Sequence, residues 1–306
     1  MAESGDLESF LEQLDECGGV DFDLAHFQSQ MTARTPKNRA FTLVEMMVAV
    51  AVFALMMGLL AELLGNAVNA THFTRQEMNA SDSARQVLDA LGADLENMIG
   101  VNGLTLLVSQ DANNNTTLSF LTESRAPSTQ TDARFMSVAY RLTNGNIIRS
   151  ISPMLWTTTG LATAMAETAS SSTSSVLALA GLRLEAVLVL DNGSIVPLSQ
   201  NGSWLVSTVN GEQLPAGCYG LVLSTPPADP NNPKVSAIVV GVATLDEQSF
   251  KLGTAKNMGG SLPSPSSEQT PVDEWDAVRG TSQFTQSYPL PAVSALCFGQ
   301  QFYTLK

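Results

Sequence analysis

Hydrophobic positions fall into three regimes along the chain. From Phe41 to Ala61 they are nearly continuous, with Glu45 as the one charge, and Met46–Ala61 carries no charge at all. That length approaches the roughly 20 residues a helix needs to cross hydrocarbon. Between Ser81 and Gly100 the pattern becomes helical and one-sided. Ala84, Val87, Leu88, Leu91, Leu95, Met98 and Ile99 recur at helical spacing, while Arg85, Asp89 and Glu96 fall largely elsewhere. Ser81 or Ser83 is a candidate cap and Gly100 a candidate stop. Asn66–Ala80 has no apolar stripe, which predicts a break there, and Gly58 and Gly65 are candidate bends.

From about residue 104 the period shortens to two. The segment 117–123, TLSFLTE, predicts a strand. Residues 134–151 predict a hairpin turning at Asn144-Gly145, and 182–198 a second turning at Asn192-Gly193. CYGLVLS, VSAIVVGVATL and AVSALCFGQQFYTL predict later strands. Residues 157–175, 224–234 and 257–271 are small, polar or proline-broken, and are expected to be loops. No internal repeat is evident.

Charge changes the picture at the N-terminal end. The chain has 306 residues, 44% of them apolar, and a formal net charge of −14, which argues against nucleic-acid binding. Residues 1–40 hold eight acids and three bases, and the bases Arg34, Lys37 and Arg39 all sit just ahead of the apolar run. By the positive-inside rule the N-terminal side stays cytoplasmic and the rest lies beyond the membrane. The first 30 residues carry no Lys or Arg, unlike a secretory signal. Met31 is an alternative start, which would leave the basic leader MTARTPKNRA.

The remaining oddity is Glu45, because a carboxylate within hydrocarbon costs a few kcal/mol, roughly 2.5–3.5 on insertion scales. Snorkelling to the interface would reduce that cost. The segment AFTLVE, with Phe41, Thr42, Leu43 and Glu45 behind a short basic leader, resembles the N-terminus of type IV prepilins, including the pseudopilins of type II secretion. The resemblance implies cleavage before Phe41 by a prepilin peptidase that also methylates the new amine. Ala40 stands where that family has Gly, a substitution that keeps the residue small. It further implies that Glu45 pairs with the N-terminal amine of a neighbouring subunit, which offsets the cost of the buried charge.

The implied fold is α+β and pilin-like: a long N-terminal helix, its first half spanning the membrane, packed on an antiparallel sheet domain. Residues 41–99 as one helix would span about 90 Å. The expected organisation is a leader over 1–40, a transmembrane helix over 41–64, a helix continuation over 65–100 and a β-rich extracytoplasmic domain over 101–306. The VAYRLTNGNIIR hairpin resembles J-type minor pseudopilins, and parts of the chain resemble the Verru_Chthon cassette prepilin-like proteins. The implied partners are the prepilin peptidase, other pilin-like subunits, an inner-membrane assembly platform and the lipid bilayer. The competing class is a single-span anchored binding module, which would keep its leader.

Catalysis finds little support. His26 and His72 are the two histidines and both lie near the N-terminal end, so nucleophile–histidine pairs are unavailable to the β-rich region. No cofactor is expected. Asp111, Asn113 and Asn115 alternate like the start of a calcium loop, but Thr116 and Thr122 stand where Gly and Glu are needed. Of three cysteines, Cys17 falls within the leader; Cys218 and Cys297 are a candidate disulfide, with two separate buried thiols as the alternative.

Overall fold

The residues that alternate in sequence form strands because alternation lets each cover a core with one face. The structure is a computed structural model. It describes residues 42–100, 104–111, 113–123, 135–154, 160–168, 174–198, 205–209, 212–222, 233–251, 258–264, 269–288 and 295–305. Helix α1 runs Leu43–Glu96. The strands are β1 Met98–Ile99, β2 Leu104–Gln110, β3 Thr116–Thr122, β4 Phe135–Thr143, β5 Asn146–Met154, β6 Ser174–Leu179, β7 Gly181–Leu190 and β8 Ile195–Pro197, then β9 Leu205–Val206, β10 Thr208–Val209, β11 Glu212–Gln213, β12 Cys218–Val222, β13 Val235–Thr244 and β14 Cys297–Thr304. Short helices intervene: α2 Leu161–Thr168, α3 Glu247–Lys251, α4 Met258–Ser261, α5 Pro271–Arg279 and α6 Ser282–Ser287. The fold is α+β, a long N-terminal helix with antiparallel sheets.

The chain divides into two units, 1–64 and 65–306. In the first, the described helix is largely apolar, with Glu45 and Glu62 as its charges, and exposed throughout; Val50 and Phe53, for instance, are 63% and 65% exposed. Among the described residues α1 is the one helix long and apolar enough to cross a membrane.

In the second unit, α1 turns amphipathic, burying Ala80, Ala84, Val87, Leu88, Leu91 and Leu95. The break predicted over Asn66–Ala80 does not occur. The polar side chains there satisfy themselves on the helix: Thr71 Oγ1 donates to the carbonyls of Ala67 and Val68, Thr74 Oγ1 to Ala70, and Ser83 Oγ to Asn79. No proline interrupts them, so the backbone ladder continues through Gly58 and Gly65.

Two sheets share the main core. One has the strand order β6-β5-β4-β3-β2-β12-β9, with β1 also paired to β3; the other runs β14-β13-β7-β8. Leu106, Phe120, Val138 and Tyr140 of the first and Leu184, Leu188, Ile238 and Val240 of the second meet Leu88, Leu91 and Leu95 of α1 in one apolar cluster. Burying each such side chain contributes about 1.5–3 kcal/mol. Both predicted hairpins form. Asn144 (φ 51°) and Gly145 (φ 76°) close the first with two left-handed residues, as a type I′ turn requires. A third pair, β10–β11, stands apart from both sheets.

The expected loops are partly helical. Residues 161–168 form α2 because LATAMAET is rich in helix formers and Met165, 1% exposed, has a second apolar cluster to fill. The 257–271 segment contains α4 and leads into α5, whose cap Thr270 accepts from the Asp273 N–H, with Pro271 opening the first turn. Trp275 of α5, fully buried, packs with Leu182, Ala243 and Met258 in a third cluster. Gly241 of β13 makes room for α5: a Cβ there would sit 2.7 Å from Pro271.

Candidate functional site

The start of α1 is a local device written in four residues. Thr42 Oγ1 accepts from the Glu45 N–H at 3.2 Å. The Glu45 carboxylate returns the contact, accepting from the Thr42 N–H at 3.2 Å and from its hydroxyl at 3.3 Å. This is a reciprocal capping box, in which Thr and a Glu three residues later satisfy backbone donors that a helix start leaves unpaired. Within hydrocarbon such donors find no water, so the cap matters more there than in solution. The T-x-x-E spacing announces this device in the sequence.

Both bonds land on Oε2. Among the described residues nothing donates to Oε1, and that oxygen stays open to a cation. Glu45 also sits in the first turn, where the positive end of the helix dipole favours a carboxylate. Leu43 is 76% exposed, part of the apolar surface presented all around the helix. Ala40 and Phe41 lie outside the described residues.

The prokaryotic N-terminal methylation motif model matches residues 35–61, spanning the basic flank, the cap and the apolar run. Over those residues the chain is type IV prepilin-like. A type IV-like pilin from Thermus thermophilus is similar over 74% of this chain and 94% of its own length, at 12% identity and a TM-score of 0.33. No curated protein matches.

The C-terminal half of α1 is fastened to the sheets by three polar contacts. Asp94 is the hub of one. Arg149 of β5 donates to it bidentately, Nε to Oδ2 at 2.6 Å and Nη2 to Oδ1 at 2.7 Å, and the Tyr140 hydroxyl of β4 donates to Oδ2 at 2.5 Å. Burial, then the Asp94 carboxylate, pushes the Tyr140 phenol above its ordinary value. The Asp94 hydrogen bonds hold the Arg149 guanidinium more firmly protonated. On the other sheet, Thr244 Oγ1 donates to the Ala80 carbonyl at 2.8 Å and Tyr303 OH to the Leu88 carbonyl at 2.7 Å. Small residues permit these approaches: a Cβ at Gly92 would sit 3.1 Å from the Tyr303 ring.

The candidate calcium residues behave as a self-contained turn. Asp111 Oδ1 accepts from the N–H groups of Asn113 and Asn115, both at 2.8 Å, and Oδ2 accepts from the Asn115 amide at 3.0 Å. Its carboxylate is therefore engaged by donors. Among the described residues, no group of three or more His, Cys, Asp or Glu side chains is placed to hold a metal.

The Cys218–Cys297 bridge is not formed. Cys218 begins β12, opposite Ser109 of β2, and Cys297 begins β14 in the other sheet, opposite Thr244. Both are free, partly buried thiols, which is the alternative the sequence left open, and burial raises the pKa of each.

Proposed function

We propose that this chain is a structural subunit of a type IV pilin-like filament, cleaved between Ala40 and Phe41, methylated on the new amine, and assembled through α1. The pseudopilin class of type II secretion is the assignment we favour, with the N-terminus cytoplasmic and residues 101–306 beyond the inner membrane. The observation that carries it is the capped start of α1. Among the described residues nothing donates to one carboxylate oxygen of Glu45, at the N-terminal end of an exposed apolar helix and within a matched methylation motif. The Phe41 amine of a neighbour is the cation this oxygen would accept, so the charge becomes a register signal between subunits.

Partners in this reading are the prepilin peptidase, other pilin-like subunits, the assembly platform and lipid. Mass spectrometry of membrane-extracted protein tests it. The expected N-terminus is methylated Phe41; an intact leader in cells with active peptidase overturns the filament role and favours an anchored binding module.

A further inference from the structure

Strand β6 ends its sheet. It pairs with β5 through Ser174↔Ser150 to Leu179↔Asn146, and among the described residues no strand pairs with its outer edge. Edge strands are commonly guarded by lysine, proline or inward-pointing charge. The sequence SSVLAL has none of these, and Val176 and Leu179 are 51% and 50% exposed.

Beside this edge lies a groove of about 600 Å³, lined among others by Asp82 and Gln86 of α1 and by Asp246 and Glu247 at the start of α3. Its charges are acidic. Lys251 pairs with Glu247 at 2.6 Å, but that pair is exposed, with both side chains more than half open to water. Asp246 is 4% exposed, and its Oδ2 accepts from the N–H groups of Gln248 and Ser249. Its Oδ1 is buried and, among the described residues, has no hydrogen-bond partner, an arrangement costly enough to call for a donor.

We propose that the β6 edge is a docking site for an extended, basic segment of a partner protein, which adds to the sheet as a further strand. Backbone hydrogen bonds to β6 would supply affinity. Alternating side chains would place aliphatic groups over Val176 and Leu179 and lysine or arginine against Asp82 and Glu247, with the buried charge of Asp246 close by. A second copy of this chain is disfavoured as the occupant by its formal net charge of −14. The proposal is independent of filament assembly.

The test uses the full chain in detergent micelles and a short, capped, fluorescent peptide of alternating valine and lysine. Binding is read by anisotropy at low and high salt. The expected result is saturable binding that weakens with salt. It should drop at least about tenfold when alternate peptide nitrogens are methylated in the phase facing β6, and by a similar factor in Asp82→Asn/Glu247→Gln or in Leu179→Lys. Circular dichroism confirms that each variant is folded. Equal binding of the methylated peptides, which charge attraction alone would explain, overturns the proposal, and so does equal binding by the variants. So does absence of binding. Sedimentation showing self-association abolished by Leu179→Lys would also overturn it, by assigning the edge to a second copy.

Discussion

Replacing Asp94 with alanine should loosen α1 from its first sheet more than any other single polar change. The carboxylate accepts three bonds, two from Arg149 and one from Tyr140. Its loss leaves the guanidinium unpaired and the hydroxyl of Tyr140, a residue with no exposed surface, without an acceptor. Breaking a buried pair from one side costs about 3–5 kcal/mol. Here the side chains of Arg149 and Asp94 are 25% and 15% exposed, so water recovers part of that loss. We therefore expect a destabilisation of about 2–3 kcal/mol. For a domain of this size that lowers Tm by roughly 5–10 °C.

The assay is thermal unfolding of the full chain in micelles, followed by near-ultraviolet circular dichroism. Arg149→Ala should cost less than Asp94→Ala, since the carboxylate it leaves behind still accepts the Tyr140 hydroxyl. The double variant should fall well short of the sum, because the second change removes the group that the first left unpaired. Asp94→Ala within about 0.5 kcal/mol of the parent, or strict additivity in the cycle, would refute the clamp.

Other outcomes follow from single sites. Glu45→Gln keeps an acceptor for the Thr42 N–H but loses the charge, whereas Glu45→Leu loses both. Both variants should insert, both should fail to cross-link with partner pilins, and only Glu45→Leu should fray the start of α1 in hydrogen exchange; normal assembly of Glu45→Gln would remove the charge-pairing role. Gly259→Ala should destabilise by about 1–3 kcal/mol in chemical denaturation, since a Cβ there would lie 2.1 Å from the Leu182 carbonyl oxygen, which is backbone and cannot swing away.

The buried Glu185, bonded to Arg183, has its pKa raised to about 7, chiefly by desolvation. The folded state thus holds that proton more tightly than the unfolded chain, and the stability it contributes is present near pH 4 and lost as pH rises through 7. Denaturation midpoints should fall across that window and stay flat in Glu185→Gln. At the alkaline end, Tyr140 and Tyr303 both have raised values, mainly from burial, so stability should fall again above about pH 10, and a Tyr303→Phe variant should show a shallower decline.

Local rules alone settled the apolar helix, its basic flank, the T-x-x-E start and both Asn-Gly hairpins. In each, the determining interactions span only a few residues: a cap, a turn conformation or a run of side chains compatible with lipid. Thr270-Pro271-x-Asp273 followed by Gly280 was an equally local signal for α5, and it was masked by the proline-rich composition around it. Tertiary structure decided the rest. The unbroken Asn66–Ala80 stretch is the exception, since its hydroxyls donate to carbonyls one turn back on the same helix. Residues 161–168 became helix because Met165 had a cluster to enter, and no local pattern announces such a site. Cys218 and Cys297 were a plausible pair by count, but the order of strands put them in separate sheets. Asp94 and Arg149 look like ordinary surface charges in the sequence; only the packing of α1 across β4 and β5 brings them within 2.6 Å. Contacts of that kind join residues far apart in the chain, and their geometry exists only once the sheets have closed around the helix.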